Sequence, residues 1–206
     1  MSVADDAELT VAKSRDAVSV NRARRLAKKL LRKSSERWEH TRGVAARAAE
    51  LAGTVDRADR RLLLAAAWLH DIGYAPAIRR TGFHPLDGGL YLREHKWDQR
   101  LAALVAHHSG ARFVPVERGF AELMAEFDFE ETPLSDALCY ADQTIGPHGK
   151  RMTIEFRINE AITRHGPSSP NARARVDRVP YLLAVAARIE KRLPQSRLPS
   201  RAPRDP

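Results

Sequence analysis

The stretch AAWLHDIGY at residues 66–74 decides the fold of this chain, because it joins an apolar segment to two adjacent polar side chains, His70 and Asp71. Apolar residues occupy nearly every side of the segment that begins at Asp59, which predicts a central helix from Asp59 to His70. Gly73 can end that helix. The sequence therefore predicts that a helix in the middle of the protein carries the His-Asp pair at its C-terminal end.

Further histidines and aspartates stand beside apolar helical segments along the chain. With the pair, the series is His40, His70, Asp71, His84, His107, His108 and Asp142. Neutral imidazoles and carboxylates bind divalent ions such as iron, manganese, zinc or nickel, and a two-metal centre needs about five to seven such ligands. A lone histidine on an apolar helix face is more often a core residue. A series of this length favours a metal site instead.

The order of these residues resembles the HD-domain superfamily of metal-dependent phosphohydrolases. Its members have an early helix histidine, a His-Asp dyad after an apolar helix, one or two further histidines and a late aspartate. The local matches are HTRGVA at 40–45, HDIG at 70–73, HPLDGG at 84–89, AHHSG at 106–110 and YAD at 140–142. The resemblance covers about residues 30–165. It implies an all-α fold, a single HD-domain helical bundle of about seven to nine helices around a buried metal site.

The resemblance also implies a ligand set for two divalent ions, with iron or manganese expected first and zinc, nickel, cobalt or magnesium as alternatives. The set comprises Asp71 as the bridge, His40, His70 and Asp142 for the first ion, His84 and His107 for the second, and His108 as a further ligand or a donor behind the ligands. The implied reaction is hydrolysis of a phosphoester or phosphoanhydride, expected to be that of a nucleotide, by a metal-activated hydroxide.

One position departs from the phosphodiesterase members of the superfamily, which commonly have a lysine directly after the dyad sequence. This chain has Tyr74 there. Arg79, Arg80 or Lys150 could supply the missing charge, since guanidinium groups pair well with phosphate oxygens, although each is also typical of an ordinary surface residue. We predict Asp71, Tyr74 and Arg79 as the catalytic residues.

Two other functions stay open at this point. One branch of the superfamily uses the same ligands to hold a di-iron centre that activates oxygen and cleaves carbon-phosphorus or carbon-carbon bonds, and Tyr74 in place of lysine is compatible with it. The other is a non-catalytic nucleotide-binding regulator, whose signature would be lost ligands, and no ligand is lost here. Among hydrolases, the pattern is nearest to the diadenosine-polyphosphate hydrolases, with nucleotide monophosphates and cyclic nucleotides as other substrates.

Composition predicts a soluble protein with one sizeable core, since the chain has 206 residues of which 43% are hydrophobic. No apolar run approaches the roughly 20 residues of a membrane-spanning helix, and the start MSVADD lacks the basic and apolar regions of a signal peptide. We therefore expect a cytoplasmic protein with no membrane partner. The single cysteine, Cys139, stands in DALCYAD and is expected to be a buried helix residue.

The formal net charge of +9 is concentrated in a basic stretch, residues 22–47. Such a charge could attract an anionic substrate, or its long side chains could cover apolar surface on a solvated helix. The aromatic platforms and Cys/His fingers of nucleic-acid binders are missing from it, so nucleic acid is not the expected partner. We expect a small anionic phosphorylated substrate, and the oligomeric state stays open.

Periodicity and helix breakers predict three regions: a flexible N-terminal segment at 1–20, the HD domain at 21–192, and a disordered tail rich in proline and arginine at 193–206. Helices are predicted at 35–52, 59–70, 98–108, 119–128 and 154–165. Three more helices are predicted to begin near residues 21, 84 and 132, and a last helix at 171–192 is predicted to break at Pro180. Residues 75–82 are predicted to form a loop over the site.

Overall fold

Helices make up the regular structure of residues 18–165 and 169–194, the part of the chain that the computed structural model describes. They are α1 Val20–Leu31, α2 Ser35–Leu51, α3 Arg60–Leu69, α4 His84–Glu94, α5 Gln99–His107, α6 Pro115–Arg118, α7 Ala121–Ala125, α8 Pro133–Gln143, α9 Ile154–His165, α10 Pro170–Arg173 and α11 Arg175–Arg192. Three 3-10 turns follow α2, α3 and α5, at Ala52–Thr54, Ile72–Tyr74 and His108–Phe113. The predicted all-α bundle is confirmed.

Helix α3 lies at the centre of the bundle, as its composition predicts. Its leucines and alanines are buried on several sides, where α3 packs against α1, α2, α5 and α8. A helix that is apolar nearly all round gains most free energy when every side is covered. His70 and Asp71 follow its last turn directly and are both buried. The core of the described residues is continuous around this point.

Two glycines set how closely the neighbouring segments approach the end of α3. A Cβ atom at Gly73 would overlap the carbonyl oxygen of His84, and one at Gly89 would lie 2.8 Å from the Cβ of Ala106. Gly73 therefore lets the turn after the dyad contact the first residue of α4, while Gly89 lets α4 pack tightly on α5. These contacts bring His84 and the end of α5 towards the dyad.

Helix α8 starts where its sequence predicts, since Thr132 and Ser135 form a reciprocal capping box and Pro133 occupies the first turn. A buried ion cluster joins this helix to α11. The carboxylate of Asp136, which is 1% exposed, accepts hydrogen bonds from Arg188 Nε at 2.9 Å, Arg188 Nη2 at 2.6 Å and Arg192 Nη1 at 2.9 Å. The C-terminal helix is thus attached to the helix that carries the late aspartate.

The last predicted helix differs from the structure in where it is interrupted. The chain turns at Ala174, between α10 and α11, whereas Pro180 lies inside α11. The predicted break at Pro180 is therefore wrong. A proline leaves the carbonyl four residues earlier without its helical donor, and that residue, Val176, is 79% exposed, so water can take the donor's place. The other predicted helices lie within a few residues of their predicted ends.

Part of the basic stretch covers apolar surface. The guanidinium group of Arg22 lies 4.1 Å from the ring centre of Trp97, and that of Arg24 lies 5.6 Å from the ring of Trp68. These contacts agree with the solvated-face interpretation for α1. The predicted flexible segment 1–20 and the predicted tail 193–206 fall mostly on residues 1–17 and 195–206, which lie outside the described residues. Within the described residues, no helix has both the length and the apolar character needed to cross a membrane.

The ion cluster between α8 and α11 leads to a first prediction. Asp136→Ala leaves two arginines without their buried anion, so we expect the free energy of unfolding to fall by about 2 kcal/mol. For a chain of this size that corresponds to a midpoint of thermal unfolding lower by roughly 4 to 8 °C, measured by circular dichroism.

Glu131→Ala is the matched control. Glu131 lies 3.5 Å from Arg188 but its side chain is 53% exposed, so we expect a change of about 0.5 kcal/mol or less. Equal effects of the two substitutions would contradict the structural role of the buried cluster.

Cys139 leads to a second prediction. The thiol is buried in α8, as the sequence predicts, and burial raises its pKa above the ordinary value. A protonated, inaccessible thiol is a poor nucleophile. We expect no reaction of the native protein with a disulfide reagent such as 5,5′-dithiobis(2-nitrobenzoate) at pH 8, and one thiol per chain in guanidinium chloride. Rapid reaction of the native protein would show that α8 opens.

Candidate metal centre

Three histidines reach the interior with their rings held by main-chain carbonyl groups. The Nδ1 atom of His40 lies 3.1 Å from the carbonyl oxygen of Gly146, that of His70 lies 2.9 Å from Ala67, and that of His108 lies 2.6 Å from Val105. A carbonyl can only accept, so each Nδ1 carries the proton and donates it. The Nε2 atom of each ring is thereby directed into the protein, the arrangement that is usual for metal-ligating histidines.

The carboxylate of Asp71 lies between two pairs of histidines. Its Oδ2 atom is 3.4 Å from His70 Nε2 and 3.6 Å from His40 Nε2. Its Oδ1 atom is 3.3 Å from His84 Nε2 and 3.8 Å from His108 Nε2. Two groups of ligand-type residues therefore share one buried aspartate, and each oxygen of that aspartate faces a different group.

Asp142 completes the first of these groups from the end of α8. Its Oδ1 atom lies 2.8 Å from His40 Nε2 and 3.7 Å from His70 Nε2. Its other oxygen accepts hydrogen bonds from the hydroxyl of Ser109 and from the amide of Gln143, the latter at 3.1 Å. The two donors fix the orientation of the carboxylate, so that Oδ1 points at the histidines.

Both carboxyl groups are ionised in this environment. Burial alone would raise the pKa of Asp71, but His70 and Arg37 reverse that effect and hold its pKa well below the ordinary value. Burial acts in the same direction on Asp142, where His40 and His70 hold the pKa well below the ordinary value. The site thus offers two negatively charged oxygen ligands.

The pKa of His70, in the first group, and the pKa values of His84 and His108, in the second, are shifted in opposite directions. Burial lowers the pKa of His84 and of His108, which keeps both rings neutral. In His108, whose Nδ1 donates to the carbonyl of Val105, the lone pair lies on Nε2. Burial also tends to lower the pKa of His70, but the adjacent Asp71 outweighs it and raises the pKa to about 9. A cation is therefore favoured between His70 and the carboxylates.

The donor set fits a divalent ion in each group. Donors bound at about 2.1 Å from one ion lie about 3.0 to 3.4 Å apart, and the donor atoms of His40, His70 and Asp71, like those of Asp71, His84 and His108, all lie within 4.8 Å of one another. Imidazole nitrogens with carboxylate oxygens suit iron, manganese, zinc and nickel. The chemistry of the residues is that of a metal centre.

The adjacent histidines at the end of α5 have different surroundings. His108 faces Asp71, whereas His107 Nε2 lies 2.8 Å from the carbonyl oxygen of Phe127. Consecutive residues on a helix point about 100° apart, so only one of the two can face a given centre. His107 lies outside both groups of ligand-type residues, and His108, predicted as a further ligand or a donor behind the ligands, is the one that faces Asp71.

Arg37 is a site residue that was not predicted as one, since it stands in the basic stretch at 22–47. Its Nη1 atom donates to Asp71 Oδ2 at 2.8 Å. Burial lowers the pKa of Arg37, but Asp71 and Tyr74 outweigh it and raise that pKa above the ordinary value. Arg37 precedes His40 by three residues, which puts both on one face of α2. That spacing is the signal that would have identified it.

A cavity of about 220 Å³ opens onto the centre. Four candidate metal ligands line its wall, namely Asp71, His84, His108 and Asp142. Four arginines line it as well, namely Arg37, Arg118, Arg157 and Arg178. The latter three arginines lie on α6, α9 and α11. A cavity with this lining is suited to an anionic ligand that approaches the centre from solvent.

The remaining predicted catalytic residues have separate positions. Tyr74 lines the cavity, where its ring stacks on that of His84 at 4.0 Å and the guanidinium group of Arg37 lies 4.4 Å from it. Arg79 is exposed and is not part of the cavity wall. Of the two other charges considered, Arg80 pairs with Glu94 at the surface and Lys150 is exposed.

Comparison with known proteins agrees with this geometry. Searches among curated proteins and among solved structures find no match. The family model described as HD domain matches residues 37–144, just over half of the chain. The matched segment begins at Arg37, ends two residues after Asp142 and includes every residue of the two groups around Asp71. The chain belongs to the HD domain family.

Proposed function

We propose that this protein is a metal-dependent phosphohydrolase that cleaves a phosphoester or phosphoanhydride, with two divalent ions held on either side of Asp71. Most members of the HD-domain superfamily are metal-dependent hydrolases. The observation that carries the proposal is the placement of Asp71, whose two oxygens face different pairs of histidines at 3.3 to 3.8 Å. A single ion would not need both oxygens to be presented in this way.

The chain's own residues have distinct tasks in this proposal. His40, His70 and Asp142 would hold one ion. His84 and His108 would hold the other ion, and Asp71 would bind both. Ions bound there would lower the pKa of water and withdraw negative charge from the phosphoryl oxygens. Arg37 holds Asp71 in its ionised form. Main-chain carbonyl groups keep the donor nitrogens of His40, His70 and His108 in position before any ion binds. Little rearrangement is then required for binding.

The substrate proposed is a small phosphorylated compound, and nucleotides are the first class to test. The arginines of the cavity support an anionic substrate, because guanidinium groups form paired hydrogen bonds with phosphoryl oxygens. Tyr74 occupies the place where a lysine is common in phosphodiesterases, and the guanidinium group of Arg37 lies 2.8 Å from Asp71. Positive charge for the substrate thus comes from α2, α6, α9 and α11.

The bridging position of Asp71 gives a third prediction. Asp71→Ala removes the only residue common to both groups, so we expect loss of bound metal together with loss of phosphate release. Metal content is measured by elemental analysis of untagged full-length protein purified without chelator, and activity on a panel of phosphomonoesters, phosphodiesters and nucleoside polyphosphates. Full activity with stoichiometric metal retained would overturn the assignment of the site.

The adjacent histidines allow a fourth prediction with a matched pair of variants. His108→Ala should reduce the bound metal by about one equivalent and hydrolysis by about 100-fold or more, since it removes a direct ligand. His107→Ala should retain both, because its ring contacts a carbonyl of the core and not Asp71. The reverse pattern would show that His107 is the ligand.

The wild-type protein supplies the test of the reaction class. About two equivalents of iron, manganese or another transition metal with phosphate release would support the dinuclear hydrolase. Two irons with no hydrolysis of any panel member would contradict it and favour the oxygen-activating branch, which uses the same ligand types. One equivalent or none would mean that the group around His84 and His108 does not bind an ion.

A further inference from the structure

Two arginines of the cavity wall are anchored by main-chain carbonyl groups. Arg178 Nε donates to the carbonyl oxygen of Ser109 at 2.9 Å, and Arg118 Nη2 donates to that of Gly82 at 3.3 Å. Among the described residues, no carboxylate lies within ion-pair distance of either guanidinium group. A carbonyl group fixes the direction of a guanidinium group and leaves its charge uncompensated, so both arginines keep their capacity to bind an anion.

Ser109 links Arg178 to the candidate metal centre by two hydrogen bonds. The hydroxyl of Ser109 donates to Asp142, while its carbonyl accepts from Arg178. Ser109 has a positive φ of 56°, a conformation that is uncommon for a residue with a side chain and that is often found at functional sites. This conformation turns the hydroxyl and the carbonyl of one residue towards two different partners. The guanidinium group is thereby fixed beside the candidate ligand Asp142.

The surroundings of Arg178 and Arg118 make their positive charges unfavourable as long as no anion is bound. Burial lowers the pKa of Arg178 and outweighs the opposing charge of Asp142, while the neighbouring Arg157 acts in the same direction as burial. Arg157 is itself 7% exposed and pairs with Glu160, so its charge is already partly compensated. Arg118 has aromatic neighbours, since its guanidinium group lies 5.3 Å from the ring of Phe83. An anion between these groups would relieve both desolvation and repulsion.

We propose that Arg118 and Arg178 form an anion subsite beside the metal centre, which holds a second phosphoryl group of the substrate. The inference rests on the proposed function and narrows it: the preferred substrates would be phosphoanhydrides and other compounds with two phosphoryl groups, in preference to simple phosphomonoesters. One group would be placed at the ions around Asp71 and the other at the two guanidinium groups. Arg178 lies beyond residue 144, where the family match ends, so α11 would contribute a specificity of this chain.

The experiment uses metal-loaded, full-length protein and two ligands that cannot be hydrolysed. Methylenediphosphonate carries two linked phosphonate groups, and methylphosphonate carries one. Their dissociation constants are measured by isothermal titration calorimetry for the wild type, for the double variant Arg118→Gln/Arg178→Gln, and for Arg175→Gln as control. Arg175 is exposed on the same helix as Arg178 and does not line the cavity. Metal content is measured after each titration.

The two ligands are expected to respond differently. In the double variant, the dissociation constant of methylenediphosphonate should rise at least about tenfold, while that of methylphosphonate should change less than about twofold, with metal content unchanged. The control should leave both constants unchanged. An equal rise in the dissociation constants of both ligands, or no rise in that of methylenediphosphonate, would overturn the proposed subsite.

A second variant covers the case in which the double variant does not fold, as judged by circular dichroism. Arg178→Lys keeps the charge but loses the planar fork of donors. It should selectively weaken the binding of methylenediphosphonate, by a smaller factor than the double variant does. No selective weakening would again overturn the subsite. This outcome can be separated from that of the proposed function. Selective binding by a protein that hydrolyses no panel member would support the subsite and contradict the hydrolase. Hydrolysis without selective binding would support the hydrolase and contradict the subsite.

Discussion

The buried carboxylate of Asp71 is the constraint on which the rest of the structure depends. An ionised group with 2% of its surface exposed is unfavourable unless cations or strong donors surround it. Helix α2 supplies Arg37 and His40, α4 supplies His84, and the turn after α5 supplies His108. Each of these elements must therefore pack against the end of α3. The absence of a side chain at Gly73 makes the close approach of α4 sterically feasible.

The same arrangement links stability with the proposed chemistry. Three of the histidines, His40, His70 and His108, are held by main-chain carbonyl groups, so the positions of their donor atoms follow from the packing of the bundle. The ion cluster at Asp136 attaches α11 to α8. Since α8 carries Asp142 and α11 carries Arg178, this cluster also helps to fix the distance between the candidate metal centre and Arg178.

The fold and most of the candidate site could be predicted from the sequence because they follow from local patterns. The apolar character of α3 placed it at the centre, and the spacing of histidines and aspartates identified His40, His84 and Asp142 as candidates that the structure brings together around the dyad. Pro180 was a misleading local signal, since the helix passes through it where an exposed turn tolerates the lost hydrogen bond. Arg37 stood in a run of basic residues, and only its spacing of three residues from His40 distinguished it from its neighbours in that run.

By itself, the sequence determined the helices, the central position of α3 and the types of ligand, because periodicity and side-chain chemistry are properties of short segments. Only the tertiary structure decided which of two adjacent histidines faces Asp71, which arginines line the cavity and which way each carboxylate oxygen points. Those choices depend on rotation about a helix axis and on contacts between residues far apart in the chain. Arg178 and Ser109, which are 69 positions apart, meet beside the candidate metal centre only because α11 packs against α8 and the turn after α5.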